Sequence, residues 1–413
     1  MHLAPEDRAI LAGETGSGGH RMALEIVTSA ARMLGADRLV EIASGHIDGC
    51  LYHGASGTLF CEKLVEEGAQ VAVPATTNVG ALNLLKPDQC RLAPDARKMA
   101  FRLMVAHERL GCRPSWTCAP YQAGARPALG QQIAWGESNA VAFANTVLGA
   151  RTNRYGDFLD IACAIAGRAP YYGLHVPGRR LARLLLDATT LPPGTWQDAS
   201  IYPVLGALVG RLAGETVCAV DGVPPGATDD QMKALCAAAA ATGAVALTHI
   251  IGTTPEAPDR ATALGHRRPE ETIRLSPAML DEERRRLSQA PDGPIDCVAL
   301  GSPHFSAAEC LELLRLAGGR PFRRPVYVCA GRQTLEGLAT DGIDTALTDL
   351  GVIFVTDTCV VVTPILPEGP GVLMTNSAKF AHYAMGNTGH LPVFGTLAEC
   401  VASARAGRVV RSP

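Results

Sequence analysis

The residues with chemical capacity in this chain stand where apolar runs stop. Thr356-Asp357-Thr358-Cys359 closes the run Gly351-Val352-Ile353-Phe354-Val355, and Thr375-Asn376-Ser377-Ala378-Lys379 follows after one short excursion. A buried strand thus delivers a thiol beside an acid and two hydroxyls, and a Thr-Asn-Ser cluster ends in a lysine. Polar groups this dense beside a core strand destabilise the fold unless something binds them. The pattern points to an ion or cluster held next to an anionic substrate.

Two further turns share this form. Trp116-Thr117-Cys118-Ala119-Pro120-Tyr121 cannot continue a helix, because Pro120 lacks an N–H and fixes the chain. Gly301-Ser302-Pro303-His304 ends the strand read at 295–300 with a hydroxyl and an imidazole. Each has a plainer reading. Cys118 serves equally as a buried turn cysteine, and Ser302 or Ser306 as the cap of a helix beginning near Ala307. Together, Cys118, the 301–304 turn and Cys359 form a metal-ligand set only if the fold makes them converge.

Other turns suit an anion. Ser44-Gly45-His46-Ile47-Asp48-Gly49 and Asn78-Val79 both follow strands and can offer backbone N–H groups, although Asn and Gly are ordinary turn residues too. Glu137 and Ser138 open a helix after Trp135-Gly136. Lys379 follows hydroxyl and amide groups able to fix its stem. Gly13-Glu14-Thr15-Gly16-Ser17-Gly18-Gly19 lacks the Gly-Lys-Ser/Thr ending of a phosphate loop and reads as a flexible glycine loop.

The elements that position these residues alternate. Helices are read at 21–34, 56–67 and 97–109, and strands at 39–42, 71–73, 244–251, 326–329 and 351–355. This is α/β punctuation, with polar turns after the strands. At 413 residues the chain exceeds one ordinary core. A Pro-rich stretch near 191–194 places a boundary near 200, giving a first domain of 1–200 joined by 366–413, a second of 201–292 and a third of 293–365. With 47% hydrophobic and 19% charged residues and a net charge of −3, the chain has no electrostatic footprint for nucleic acid or an anionic membrane. The start, Met1-His2-Leu3-Ala4-Pro5-Glu6-Asp7, has no signal-peptide pattern, so the expectation is a soluble, cytoplasmic protein. The Ala-rich run 234–246 reads as a buried helix leading into a strand. Thirteen cysteines are spread over the whole length without a Cys-x-x-Cys. That excludes a zinc knuckle or ferredoxin-type run. Cys163 and Cys236, on helical apolar faces, read as small core residues.

At these residues, and in Ala134-Trp135-Gly136-Glu137-Ser138-Asn139-Ala140, Tyr155-Gly156-Asp157-Phe158 and Thr254-Pro255-Glu256-Ala257, the chain resembles the large subunit of the aconitase X family, a branch of the aconitase superfamily. The resemblance covers nearly the whole chain. It implies a multi-domain α/β/α architecture with mostly parallel sheets around a cleft, and an iron–sulfur hydro-lyase acting on a hydroxylated carboxylic acid. It carries Cys118 and Cys359 over as cluster ligands. Gly49, Asn78 and Val79 correspond to substrate-binding turns, Glu137 and Ser138 to the substrate-facing helix start, and Lys379 to the substrate lysine. Cys50 and Leu51 align with further substrate positions, where only backbone contacts transfer. Where the archaeal pattern has a third cysteine this chain has Ser302, and Cys297 lies too far back along the strand to replace it. The resemblance then implies a [2Fe–2S] cluster with Ser302 or a non-thiol group completing it, the alternatives being [3Fe–4S] or [4Fe–4S]. It also implies a small swivelling subunit that supplies a serine base, with Glu137 as the alternative within the chain.

Three functions are compatible with this. The favoured one is dehydration of cis-3-hydroxy-L-proline to Δ1-pyrroline-2-carboxylate. A mevalonate 5-phosphate dehydratase would need cations for the phosphate, for which Arg151, Arg154 and His46 are available. A cluster-binding scaffold without catalysis is the third.

Overall fold

The computed structural model describes residues 1–412 as alternating helices and short strands. They divide into two compact units. One comprises Met1–Leu82 and Leu92–Leu181; the other comprises Asn83–Arg91 and the chain from Ala182 onward.

The first unit holds β1 (Leu39–Glu41), β2 (Gly45–Ile47), β3 (Ala75–Thr77), β4 (Ala134–Trp135) and β5 (Arg168–Pro170). β1 and β5 pair antiparallel, while β2 lies between β3 and β4 in a parallel sheet. Gly45 stands opposite both Ala75 and Ala134, so the three strands end along one edge. Parallel neighbours need long crossovers, supplied here in part by helices Ala55–Glu66 and Pro94–Arg109. Leu24, Val27, Ile47, Leu64, Leu103, Ile161 and Cys163 form the core. The glycine loop is a helix entry: Ser17 accepts the His20 N–H at 3.1 Å and caps Gly18–Met33. The strand expected at 71–73 lies later, at β3. Pro74 has no N–H to give, so the ladder begins at Ala75 and Asn78 follows the strand directly.

The second unit contains two parallel sheets. β6 (Leu184–Asp187), β7 (Cys218–Asp221), β8 (Thr248–Ile250) and β9 (Glu271–Arg274) run in the order β8-β7-β6-β9. β10 (Cys297–Phe305), β11 (Val326–Ala330), β12 (Val352–Val355), β13 (Val372–Thr375) and β14 (Leu391–Phe394) run β12-β11-β10-β13-β14. The Ala-rich run lies in helix Asp229–Thr242, which leads to β8. Residues 366–413, expected to return to the first domain, instead supply β13 and β14 to the sheet of β10–β12. Met374, Val393, Cys400 and Val401 share one core with Val298, Val328 and Phe354. Residues 182–200 likewise join this unit, through β6. The apolar run at 372–374 shows a buried strand, but a hydrophobic pattern does not name the neighbour that covers it.

A buried charge cluster braces the strand end that carries Ser302. Lys233 is 2% exposed and its Nζ donates to Asp230 at 2.9 Å, to the His304 carbonyl at 3.2 Å and to Glu309. Ser306 caps helix Ala307–Ala317 in a capping box with Glu309, and its hydroxyl donates to Asp230 at 2.7 Å. Removing the cation leaves two part-buried carboxylates, 26% and 21% exposed, uncompensated. Lys233→Met should therefore destabilise the chain by about 3–5 kcal/mol in urea unfolding. A loss below about 1 kcal/mol, the range of exposed ion pairs, would show that water already screens this cluster.

Candidate active site

In the first unit the ends of β2, β3 and β4 assemble one polar edge. His46, Asp48, Gly49 and Cys50 follow from β2, Asn78 and Val79 from β3, and Glu137 and Ser138 from β4. Gly136 allows the close approach: a Cβ there would stand 2.8 Å from both the Asp48 Cβ and Asp160 Oδ2. Asp160, wholly buried, accepts the N–H of Asp48 at 2.6 Å, of Gly49 at 3.3 Å and of Ile161 at 2.7 Å. Asn78 Nδ2 donates to Asp48. Burial, then the charge of Asp48, pushes the Asp160 carboxyl up to about 7, against the three N–H groups that favour its ionised form. His46 is wholly buried and shares a 2.8 Å hydrogen bond with the Thr76 hydroxyl through Nδ1. Burial pushes it down to about 4 despite the charge of Glu137, so it is neutral at pH 7.

Other predicted residues here hold the turns together. The Cys50 thiol points to the carbonyls of Ile47 at 3.1 Å and Asn78 at 3.2 Å, clasping the β2 and β3 turns. Leu51 closes the turn by donating its N–H to Asp48 at 3.3 Å. Glu137 caps helix Ser138–Phe143, accepting the Ala140 N–H at 2.6 Å and the Ser138 hydroxyl at 3.1 Å. Cys118 lies in a turn fastened to β3. Trp116, at φ 41°, donates its N–H to the Thr77 hydroxyl at 3.1 Å, and Asn139 Nδ2 donates to the Cys118 carbonyl at 3.1 Å.

The second unit gathers Ser302, in the irregular part of β10, with Cys359 and Lys379, which lie beyond the ends of β12 and β13. Asp357 is wholly buried at φ 65°; it accepts Arg332 at 2.6 and 2.8 Å and the Leu84 N–H at 3.1 Å. Thr358 shares a 2.6 Å hydrogen bond with Thr363, and its carbonyl accepts His304 Nε2 at 3.1 Å. The acid and one hydroxyl that the sequence offers to a ligand are thus engaged in shaping the turn. The thiol of Cys359 is in a different state. A hydrogen bond from Cys329 holds it below the ordinary range against burial, with help from the Val361 N–H, the Lys379 charge and the Ser302 hydroxyl. Burial instead pushes up Cys50, Cys61, Cys112, Cys163, Cys218, Cys297, Cys310 and Cys400. Lys379 lies in the first turn of helix Ala378–Thr388, capped by Ser377, whose hydroxyl also donates to the Ser302 carbonyl.

Sequence reading missed Asp160, Arg332 and Cys329. Only Cys329 carried a usable signal, since it closes an apolar strand run, as Cys359 follows another. Among the described residues no three His, Cys, Asp or Glu side chains converge to hold a metal ion, and none of the helices is long and apolar enough to cross a membrane.

Comparisons with known proteins divide the chain into three domains, the second and third both within the second unit. The sequence matches profiles of the aconitase X first domain over residues 1–178, second domain over 182–285 and third domain over 295–406. It is 43% identical to a cis-3-hydroxy-L-proline dehydratase of Pseudomonas aeruginosa, over 97% of this chain and 70% of that protein. It is 32% identical to a phosphomevalonate dehydratase large subunit of Methanosarcina mazei, over 99% of this chain and 98% of that protein. The crystal structure of Thermococcus kodakaraensis aconitase X in its holo-form superposes with a TM-score of 0.85 at 30% identity, covering 98% of this chain and all of that one.

The raised Asp160 carboxyl has a stability consequence of fixed sign. Its proton is bound more tightly in the folded state, so its contribution is fully present below pH about 4 and is lost as pH rises to about 7. The stability of the wild-type chain minus that of Asp160→Asn should therefore fall across this window, by an amount on the order of a few kcal/mol. A difference independent of pH would show that the carboxylate is ionised throughout.

Proposed function

This chain belongs to the aconitase X family, and we propose that it is the large subunit of an iron–sulfur hydro-lyase that dehydrates cis-3-hydroxy-L-proline to Δ1-pyrroline-2-carboxylate. The observation that carries the substrate is graded identity: 43% and 40% to two cis-3-hydroxy-L-proline dehydratases, against 30–34% to five phosphomevalonate dehydratase large subunits. Ser302, in place of the archaeal cysteine, points the same way. The mevalonate 5-phosphate reading keeps one favourable observation, near full-length coverage of those large subunits.

The thiolate-favouring surroundings of Cys359 and the adjacent Ser302 hydroxyl fit an iron–sulfur cluster. We assign Cys359 and Ser302 to it, with Cys118 as the further cysteine marked by the resemblance and [2Fe–2S] as its form. A bound cluster would supply Lewis acidity to the leaving hydroxide. The chain's own residues do the rest. Lys379 neutralises the substrate carboxylate while the α-carbon loses its proton and negative charge grows there. The Gly49 and Asn78–Val79 turns and Ser138 orient the ring through hydrogen bonds, with neutral His46 behind them. The α-proton and the 3-hydroxyl leave as water, and the resulting enamine isomerises to the cyclic imine. Glu137 already accepts two hydrogen bonds, which supports placing the base on a small swivelling subunit rather than on this chain. The name "large subunit" of the archaeal relatives supports such a partner.

Two experiments test this. The chain mixed with a small swivelling subunit should form the imine from cis-3-hydroxy-L-proline and leave mevalonate 5-phosphate unchanged; the reverse preference would overturn the substrate. Lys379→Met keeps the apolar stem and should lower kcat by about two to three orders of magnitude with little change in Tm. Unchanged turnover per folded molecule would make the lysine structural.

A further inference from the structure

The sheet of the second unit places the strand of Cys329 between the two segments that carry Ser302 and Cys359. β11 lies between β12, which leads into Cys359, and β10, which carries Ser302. Cys329 stands opposite Val355 and Val328 opposite Leu300, and β10 bulges between Leu300 and Phe305 before pairing again with Ala330, so the Ser302 segment lies beside Cys329. Gly301 then turns over the end of β11 at φ 86°, where a Cβ would meet the Cys329 carbonyl at 2.1 Å. That close approach brings Ser302 to Cys359. The 356–359 turn folds back the other way, and Val360 donates its N–H to Cys329 Sγ at 3.4 Å. Cys329 in turn shares a hydrogen bond with Cys359. Two thiols and a hydroxyl from three adjacent strands and the turn after one of them therefore meet, Cys329 fully buried and Cys359 and Ser302 each 5% exposed.

We propose that Cys329 is a metal ligand that pairs with Cys359 and supplies the thiolate that Ser302 cannot. Adjacent soft sulfurs suit a thiophilic metal such as iron in a cluster. The Val360 N–H is aimed at the ligand sulfur, as second-sphere donors to thiolates are. Each thiol releases its proton to solvent as its sulfur–metal bond forms, with no change in oxidation state. Cys297, at the far end of β10, has no part in this. As a cluster ligand, Cys329 rests on the iron–sulfur reading above; as one of a thiol pair for a soft metal it stands on the geometry.

The test uses the full chain and two probes. Cadmium alone, added to the metal-free chain, should give a sulfur-to-metal ultraviolet band that falls by about half in Cys329→Ala and in Cys359→Ala, one thiolate of two, and stays unchanged in Cys297→Ala. Cys329→Ser keeps the size of the side chain and should lose the same absorption while circular dichroism shows the fold intact. Anaerobic reconstitution with ferrous iron and sulfide should then leave Cys329→Ala short of iron and visible absorption. Full iron and sulfide in that variant, or an undiminished cadmium band, would overturn the inference while leaving the cluster reading in place. A wild-type chain that takes no iron and sulfide yet shows the Cys329-dependent cadmium band would overturn the cluster reading and support the thiol pair.

Discussion

The buried ion pair between Asp357 and Arg332 is the interaction on which the second unit's site depends. A fully buried carboxylate is tolerable only when paired and hydrogen-bonded. Arg332 meets it with two hydrogen bonds and Leu84 with a third, at a residue held in the left-handed region that non-glycine residues rarely adopt. This fixes the sense in which the chain leaves β12, and so the direction of the Cys359 thiol two residues on. Thr358 and His304 then fasten that turn to the end of β10.

The first unit solves a similar problem with another aspartate. Asp160 takes three backbone N–H groups and no cation, and burial, with the charge of Asp48, raises its proton affinity against those donors. The partners of the two acids differ in kind: a guanidinium for Asp357, backbone amides for Asp160. A guanidinium compensates charge, whereas amide dipoles in a dry site compensate it only in part. Both leave a strand-end turn rigid enough to hold a ligand without rearranging, which is what electrostatic catalysis requires of its donors.

Parallel pairing explains why the chemistry collects where it does. Neighbouring parallel strands end on the same edge, and their crossover helices begin there. Ser138 and Lys379 occupy first helical turns, where side chains are aimed by capping residues, Glu137 and Ser377. Lys379 therefore acts on Cys359 from a fixed helix start rather than from a flexible loop, and its charge helps hold that thiol low.

By itself, the sequence determined the α/β class, the strands at 326–329 and 351–355, and the place of Cys359 just beyond a buried strand, because local apolar runs and turn residues report burial and chain reversal. It also marked Glu137 and Ser138 as a helix start. Only the tertiary structure decided that 366–413 pairs with β10 rather than joining the first unit, that Asp357 is taken by Arg332, and that Cys329 reaches Cys359 while Cys297 does not. Each of these turns on strand order and on contacts between residues tens or hundreds of positions apart. Neither periodicity nor spacing encodes such contacts, because an apolar face specifies that it must be covered and leaves its cover unnamed.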